Sequence, residues 1–368
     1  MNGLARILRP VAFSDCPGWN RDDQSAAFAA FRRSADHAAR QTYKSGSLGI
    51  GFEALQPVFA AARSLDNPGM EEARAFFERN FLPPCRIVPD TEKGFVTAFY
   101  EPEIEASLHA DDRFKVPFLR QPDDLVKVTD ENRPQGFDPS FAFARRTENG
   151  LVEYDDRRAI ERGGSLSGRG LEIAFVADRV DAFFAHVQGA ARLKLRDGRV
   201  LRIAYAAKTG HPFTGIGRIL VADGEIPASE ISMQAIRRWL AEHPDRADDL
   251  IWQNRSYIFF REAPVEDPDA GPVAAAKVPL TAGRSLAVDR LLHTFGTPIH
   301  VSAPTVTVFD GEPFARLMIA QDTGTAIVGP ARGGDLFAGS GDAAGEIAGG
   351  VKNDAEFYAL VPRTLLGA

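Results

Sequence analysis

Three aspartates near the C-terminus sit in settings that could support acid–base chemistry: Asp289 in RSLAVD, Asp322 in QDTGTAIVGP and Asp335 in ARGGDLFAGSG. The Gly333-Gly334 pair before Asp335 lets backbone or substrate approach closely. Leu336 and Phe337 after it can desolvate the carboxyl group. Burial and neighbouring carboxylates both raise an acid's pKa, and a carboxyl protonated near neutrality can protonate a leaving oxygen. Each aspartate could instead cap a turn in a glycine-rich segment, and residue type leaves both readings open. Asp322-Thr323-Gly324 also spells the aspartic-protease signature. That chemistry needs two aspartates sharing one proton. The chain has no second such triplet, so a protease would have to be a dimer using Asp322 from each copy.

Other chemistries are poorly supplied. None of the seven histidines falls in H-E-x-x-H spacing, and His293 and His300 are too isolated to read as a metal pair. There is no phosphate-binding G-x-x-x-x-G-K-S/T loop, and Gly164–Gly168 reads GSLSG with leucine where a nucleophile would stand. Gly339, Gly341 and Gly345 miss dinucleotide spacing and read as a turn. Cys16 and Cys85 could form one bridge but no disulfide framework or zinc site. Metal- and cofactor-free chemistry is therefore expected. With 43 basic and 50 acidic residues the net charge is −7, which argues against nucleic acid as a partner. No apolar run is long enough to span a membrane, and Met1–Pro10 lacks the apolar core of a signal peptide.

The elements that must position these aspartates change character along the chain. Residues 1–82 read as helical. Asp22–Asp23 could cap a helix that buries Ala27, Phe28, Phe31 and Ala35. Phe52, Leu55, Val58, Phe59 and Ala62 form a second stripe. Met70, Ala73, Phe76, Phe77 and Phe81 form a third, opened by Asn67-Pro68. Strands follow at Arg86–Val88 and Gly94–Tyr100. Tyr154–Arg162 and Asp178–Gln188 read as short helices, and Asp197-Gly198 as a hairpin turn between Arg192–Arg196 and Val200–Tyr205. Ser229 is expected to cap a helix carrying Trp239 and Leu240 that ends at His243-Pro244. After a linker-like stretch at 262–275, short strands are expected at Lys277–Leu280, Pro298–Val301, Thr305–Phe309, Phe314–Ala320, Ala326–Val328 and Tyr358–Val361. Their density suggests a small barrel or sandwich.

An ordered series of segments resembles the membrane-bound lytic murein transglycosylase A family over nearly the whole chain. It runs from CPGW (Cys16–Trp19) through GFVTAFYEP (Gly94–Pro102), YDDRRAIERG (Tyr154–Gly163), Ala174–Gly198, YAAKTGHPFTGIGR (Tyr205–Arg218) and NRSYIFFR (Asn254–Arg261). It ends with VPLTAGRSLAVD (Val278–Asp289), Gln321–Gly341 and AGEIAG (Ala344–Gly349). The resemblance implies a mainly β fold with N-terminal helices. A double-psi β-barrel domain would be formed by residues 1–102 and 254–368, with a three-aspartate module at about 277–365. Residues 103–253 would form an inserted β-rich domain, with glycan lying between the two.

It also implies cleavage of the MurNAc-β-1,4-GlcNAc bond of peptidoglycan with formation of 1,6-anhydro ends, and Asp335 as the catalytic acid, tuned by Asp322 and more distantly by Asp289. A glycan-binding barrel without catalysis is the alternative. Expected substrate-binding residues are Thr97, Phe99, Tyr100 and Glu101; Gln188, Gly189, Tyr205, Lys208 and Thr209; and Asn254, Ser256 and Tyr257. The implied setting is the periplasm or outer membrane. The implied partners are peptidoglycan strands and cell-wall synthesis or lysis proteins, with the enzyme acting as a monomer.

Overall fold

The structure, a computed structural model, describes residues 8–87, 94–264, 267, 270–324, 327–329 and 332–366. The chain divides into two compact units, Met1–Tyr100 with Asp267–Ala368, and Glu101–Glu266. The second break differs from the expected 253/254. Ile258–Ala263 is an edge strand paired with Val200–Lys208, so its ladder holds it in the inserted unit.

The first unit is built on a nine-stranded mixed sheet. Its strand order is Leu8–Pro10, Cys85–Ile87, Glu356–Ala359, Pro298–Ala303, Phe314–Asp322, Ser285–Ala287, Arg332–Ser340, Phe95–Glu101, Lys352–Asp354. Helices Ser25–Ala38, Phe52–Arg63 and Met70–Asn80 join its core through Phe28, Phe31, Phe59, Phe76 and Phe77, as their helical spacing predicts. Met70, expected on that stripe, is exposed. Asp22 does not cap the first helix. Its carboxylate is buried, accepts from the Leu317 N–H at 2.7 Å and pairs with Arg284 at 2.7 Å. Asp23 takes the Ser25 N–H instead. The third helix starts at Met70, after Gly69, because Asn67 sits at φ 37° and cannot begin a helical turn. Cys16 and Cys85 are buried free thiols.

The sheet differs from expectation in telling places. Lys277–Leu280 and Thr305–Phe309 are turns rather than strands. Part of Ala326–Val328 lies outside the described residues, and 327–328 are not strand. Conversely, Arg332–Ser340, where no strand was expected, is a nine-residue strand. Gly339 closes that strand at φ 121°, and Gly341 leads directly into the helix Asp342–Gly350, where a simple turn was expected.

The second unit holds a six-stranded sheet and a separate three-stranded one. The Asp197-Gly198 hairpin forms as predicted, between Ala190–Leu195 and Val200–Lys208, with Gly198 at φ 86°. Asp178 caps Arg179–Gln188 by accepting two backbone N–H groups. Ser232, not Ser229, caps Met233–Glu242, and Pro244 opens a further helix, Pro244–Trp252.

Candidate active site

The short strand Ser285–Ala287 organises the acidic site. It runs parallel to Phe314–Asp322 and antiparallel to Arg332–Ser340, so Ala287 faces Asp322 on one side and Asp335 on the other. A register shift between Leu286 and Ala287 brings Asp322 opposite Ala287. Two carboxylates far apart in sequence are thereby brought to one level of the sheet.

Asp335 Oδ1 accepts a hydrogen bond from Thr97 Oγ1 at 2.7 Å. Thr97 lies on Phe95–Glu101, the neighbour of the Asp335 strand in the sheet order. Around them the packing is apolar, although Thr97 and Asp335 both keep partial exposure. Leu336 and Phe337 are buried, and Phe99 lies against Phe337 with ring centroids 5.3 Å apart. A Cβ on Gly334 would stand 2.5 Å from the Phe357 ring, so close packing requires glycine immediately before Asp335. Burial pushes the Asp335 carboxyl up to about 7. The Thr97 hydroxyl, which favours the charged form, opposes this, and the charge of Asp322 adds to it. Burial also raises Asp322, to about 6, against the Thr323 and Ala275 N–H groups that favour its ionised form. The Ala275 N–H reaches Asp322 Oδ1 at 3.2 Å. Among the described residues no cation pairs with either carboxylate.

Asp289 does different work. Its carboxylate accepts from the Leu291 N–H at 3.0 Å and the Gly329 N–H at 2.9 Å, and its carbonyl accepts from Leu292 and His293. It braces the two loops beside the acid pair.

The expected binding residues separate into exposed and structural groups. Tyr205 is 42% exposed, and Gln188 and Lys208 are partly exposed. Burial lowers the Lys208 ammonium pKa. Thr97 and Phe99 are partly exposed on the first unit. The others serve the fold. Tyr100 is buried against Gly345 of Asp342–Gly350. Gly189 is a left-handed helix cap at φ 80° whose carbonyl accepts from the Tyr205 N–H at 2.7 Å. Thr209 is fully buried and exchanges hydrogen bonds with the Tyr257 backbone. Tyr257 is itself core, 4.5 Å from the His186 ring. Asn254 is buried and accepts from the Thr214 N–H at 3.1 Å, and Ser256 is buried beside it.

Glu101, also expected at a binding surface, has no exposed area. Its carboxylate takes Arg192 Nε at 2.9 Å and Arg202 Nε at 2.7 Å. Residue-by-residue reading of the chain missed these arginines, but the hairpin held the signal. Asp197-Gly198 sets Arg192 opposite Arg202. Like charges so placed call for an anion between them. Arg157 was also missed. It is buried, donates to the carbonyls of Asn254 at 3.1 Å and Ser256 at 2.8 Å, and lies 5.3 Å over the Tyr257 ring.

Comparison with known proteins places this geometry. Residues 95–261 match the model of the MltA-specific insert domain, and residues 284–361 match the 3D domain. The crystal structure of a membrane-bound lytic murein transglycosylase from Agrobacterium tumefaciens superposes with a TM-score of 0.92 at 53% identity, covering 98% of this chain and 99% of that one. The chain belongs to the membrane-bound lytic murein transglycosylase A family. The 3D-domain match contains Asp289, Asp322 and Asp335. A second member of the family, from Neisseria gonorrhoeae, superposes with a TM-score of 0.78 at 32% identity, covering 96% of this chain and 92% of that one. The Escherichia coli K12 family member is 33% identical over 224 residues, 56% of this chain and 59% of that protein. The chain thus spans about three-fifths of the length of that curated relative.

Proposed function

We propose that this chain is a peptidoglycan lytic transglycosylase that uses Asp335 as its single acid and base. The supporting observation is a carboxyl raised to about 7 by burial, hydrogen-bonded by Thr97 and without a cation partner among the described residues. Protonated Asp335 gives its proton to the oxygen of the MurNAc-β-1,4-GlcNAc bond, and the C1–O bond breaks. The resulting carboxylate takes the proton of the C6 hydroxyl, whose oxygen closes on C1 to form the 1,6-anhydro ring. The nucleophile is tethered to the electrophile, an entropic advantage that water lacks. No second carboxylate is needed to activate water, unlike in a hydrolase. Asp322 acts as a positioning residue whose charge keeps Asp335 protonated.

An aspartic-protease reading fits less well. There, mutual repulsion would dominate the titration of both aspartates. Here the chain carries a single Asp-Thr-Gly triplet, and burial rather than repulsion is the leading cause of the rise at Asp322. The mixed sheet of the first unit would be the double-psi barrel, Tyr205 and Lys208 would line the glycan path, and the enzyme would act as a monomer. The relatives' description as membrane-bound points to the cell envelope, in the periplasm or at the outer membrane. Among the described residues no helix is long and apolar enough to cross a membrane.

The test is mass spectrometry of products released from isolated sacculi by wild type and Asp335→Asn. Anhydro-ended muropeptides from wild type alone are expected. Reducing ends would overturn the one-carboxylate mechanism. Binding to sacculi with no product would instead identify a glycan-binding barrel.

A further inference from the structure

The first unit carries a group of positive charges that the chemistry above does not use. They lie on segments that meet at the rings of His37, the buried Tyr43 and Phe295, and the Tyr43 hydroxyl donates to the Ala276 carbonyl, next to Lys277, at 2.9 Å. The Tyr43 ring stacks on His37 with centroids 5.3 Å apart and meets the Phe295 ring at 6.0 Å. The Arg290 guanidinium lies 5.9 Å over Phe295. Burial lowers the His37 pKa, and the nearby charges of Arg40 and Lys277 lower it further. Arg40, Lys277 and Arg290 are exposed, and among the described residues none of them has an ion-pair partner. Elsewhere, arginines such as Arg145, Arg237 and Arg316 hold carboxylates. An exposed basic cluster without carboxylate partners among the described residues is suited to an anionic ligand.

Two further observations connect the cluster with the acid pair. Lys277 adopts φ 61° in the tight turn closed by its N–H to the Ala274 carbonyl at 2.9 Å. Glycine would sit there without strain, yet the chain keeps a long cationic side chain. The same turn supplies the Ala275 N–H to Asp322. Next to Arg290, Leu291 is 71% exposed on the loop that Asp289 braces. The segments that carry the Ala275 N–H and Asp289 therefore also offer cations and an apolar contact.

We propose that Arg40, Lys277, Arg290 and Leu291 form a subsite for the peptide arm of the substrate, the cations taking its carboxylates and Leu291 its aliphatic side chains. The proposal rests on the peptidoglycan reading above. Its test compares sacculi bearing intact peptide arms with the same sacculi stripped of peptide by an amidase. The readout is the ratio of kcat/KM for anhydro-end release on the two substrates. Lys277→Gly removes the charge while relieving backbone strain, so a loss cannot be traced to a failed turn. Lys277→Gly with Arg290→Ala should lower the intact-to-stripped ratio by about tenfold, and wild type should lose the same preference as salt rises. An unchanged ratio would overturn the subsite. Co-sedimentation of the proteins with both kinds of sacculi separates the two readings. If wild type forms no anhydro ends, the proposed reaction fails. The subsite then stands only if the double variant loses retention on intact sacculi and not on stripped ones.

Discussion

Glu101 and Asp335 are acidic residues on or beside the core of different units, and their surroundings give them opposite tasks. Glu101 is enclosed by two guanidinium groups and holds the strands that carry Arg192 and Arg202. Asp335 meets a hydroxyl and, more remotely, another carboxylate. The first environment makes a carboxylate a structural counter-ion. The second leaves it poised to give up a proton near neutral pH. Glu101 is fully buried and Asp335 keeps some exposure, and it is the charge of the neighbours that sets the direction of each.

The widest separation between the two should come from substitution by the amide. Asp335→Asn should reduce anhydro-end release about a thousandfold or more, as expected for loss of a general acid, while the protein stays folded. Glu101→Gln should act on stability instead. Leaving two arginines against a neutral amide should cost about 3–5 kcal/mol, read by denaturant unfolding. If Glu101→Gln cost nothing, the structural assignment of that residue would be wrong.

Unfolding at different pH values sharpens the contrast. Asp335 and Asp322 have folded-state pKa values of about 7 and 6, above the ordinary 3.8. The folded state therefore binds more protons than the unfolded chain across that window. Their contribution is most favourable below about pH 4 and is lost as pH rises through 7. Asp335→Asn should accordingly be more stable than wild type at pH 8, by on the order of 2 kcal/mol, and no more stable at pH 4.

Turnover should follow the same titration, falling as pH rises past about 7. Thr97→Val removes a bond that favours the ionised form, so the falling limb should move to higher pH. Asp322→Asn removes a repelling charge, so the limb should move lower. Each shift should be up to roughly one pH unit. A limb that moved in neither variant would remove both residues from the control of Asp335. The smallest effect is expected at the exposed ring of the second unit. Tyr205→Ala should raise KM about fivefold, equivalent to about 1 kcal/mol, with kcat nearly unchanged.

Much of this was legible in the chain because it depends on near neighbours. The Phe-rich helical stripes, the Asp178 cap and the Asp197-Gly198 hairpin follow from local spacing and turn chemistry. The binding residues were harder to read. Tyr257 and Thr209 carry groups suited to a sugar, but whether such groups face solvent depends on what packs over them.

The sequence by itself determined which residues could do chemistry: three aspartates, two of them in glycine-rich settings, their order, and their likeness to one family. The family likeness pointed to Asp335, but residue type alone could not say which carboxyl is raised, because a carboxyl's pKa depends on atoms brought from elsewhere in the chain. Thr97, 238 positions before Asp335, supplies the hydrogen bond. Ala287 sets the register that places Asp322 and Asp335 at one level. No strand was expected at Gly333-Gly334, because glycine has little intrinsic strand preference. The segment is strand because Leu286 and Ala287 pair with Leu336 and Asp335, and the Phe357 ring leaves room only for glycine at 334. Those contacts exist only in the folded chain, and they separate a raised carboxyl from one that braces loops.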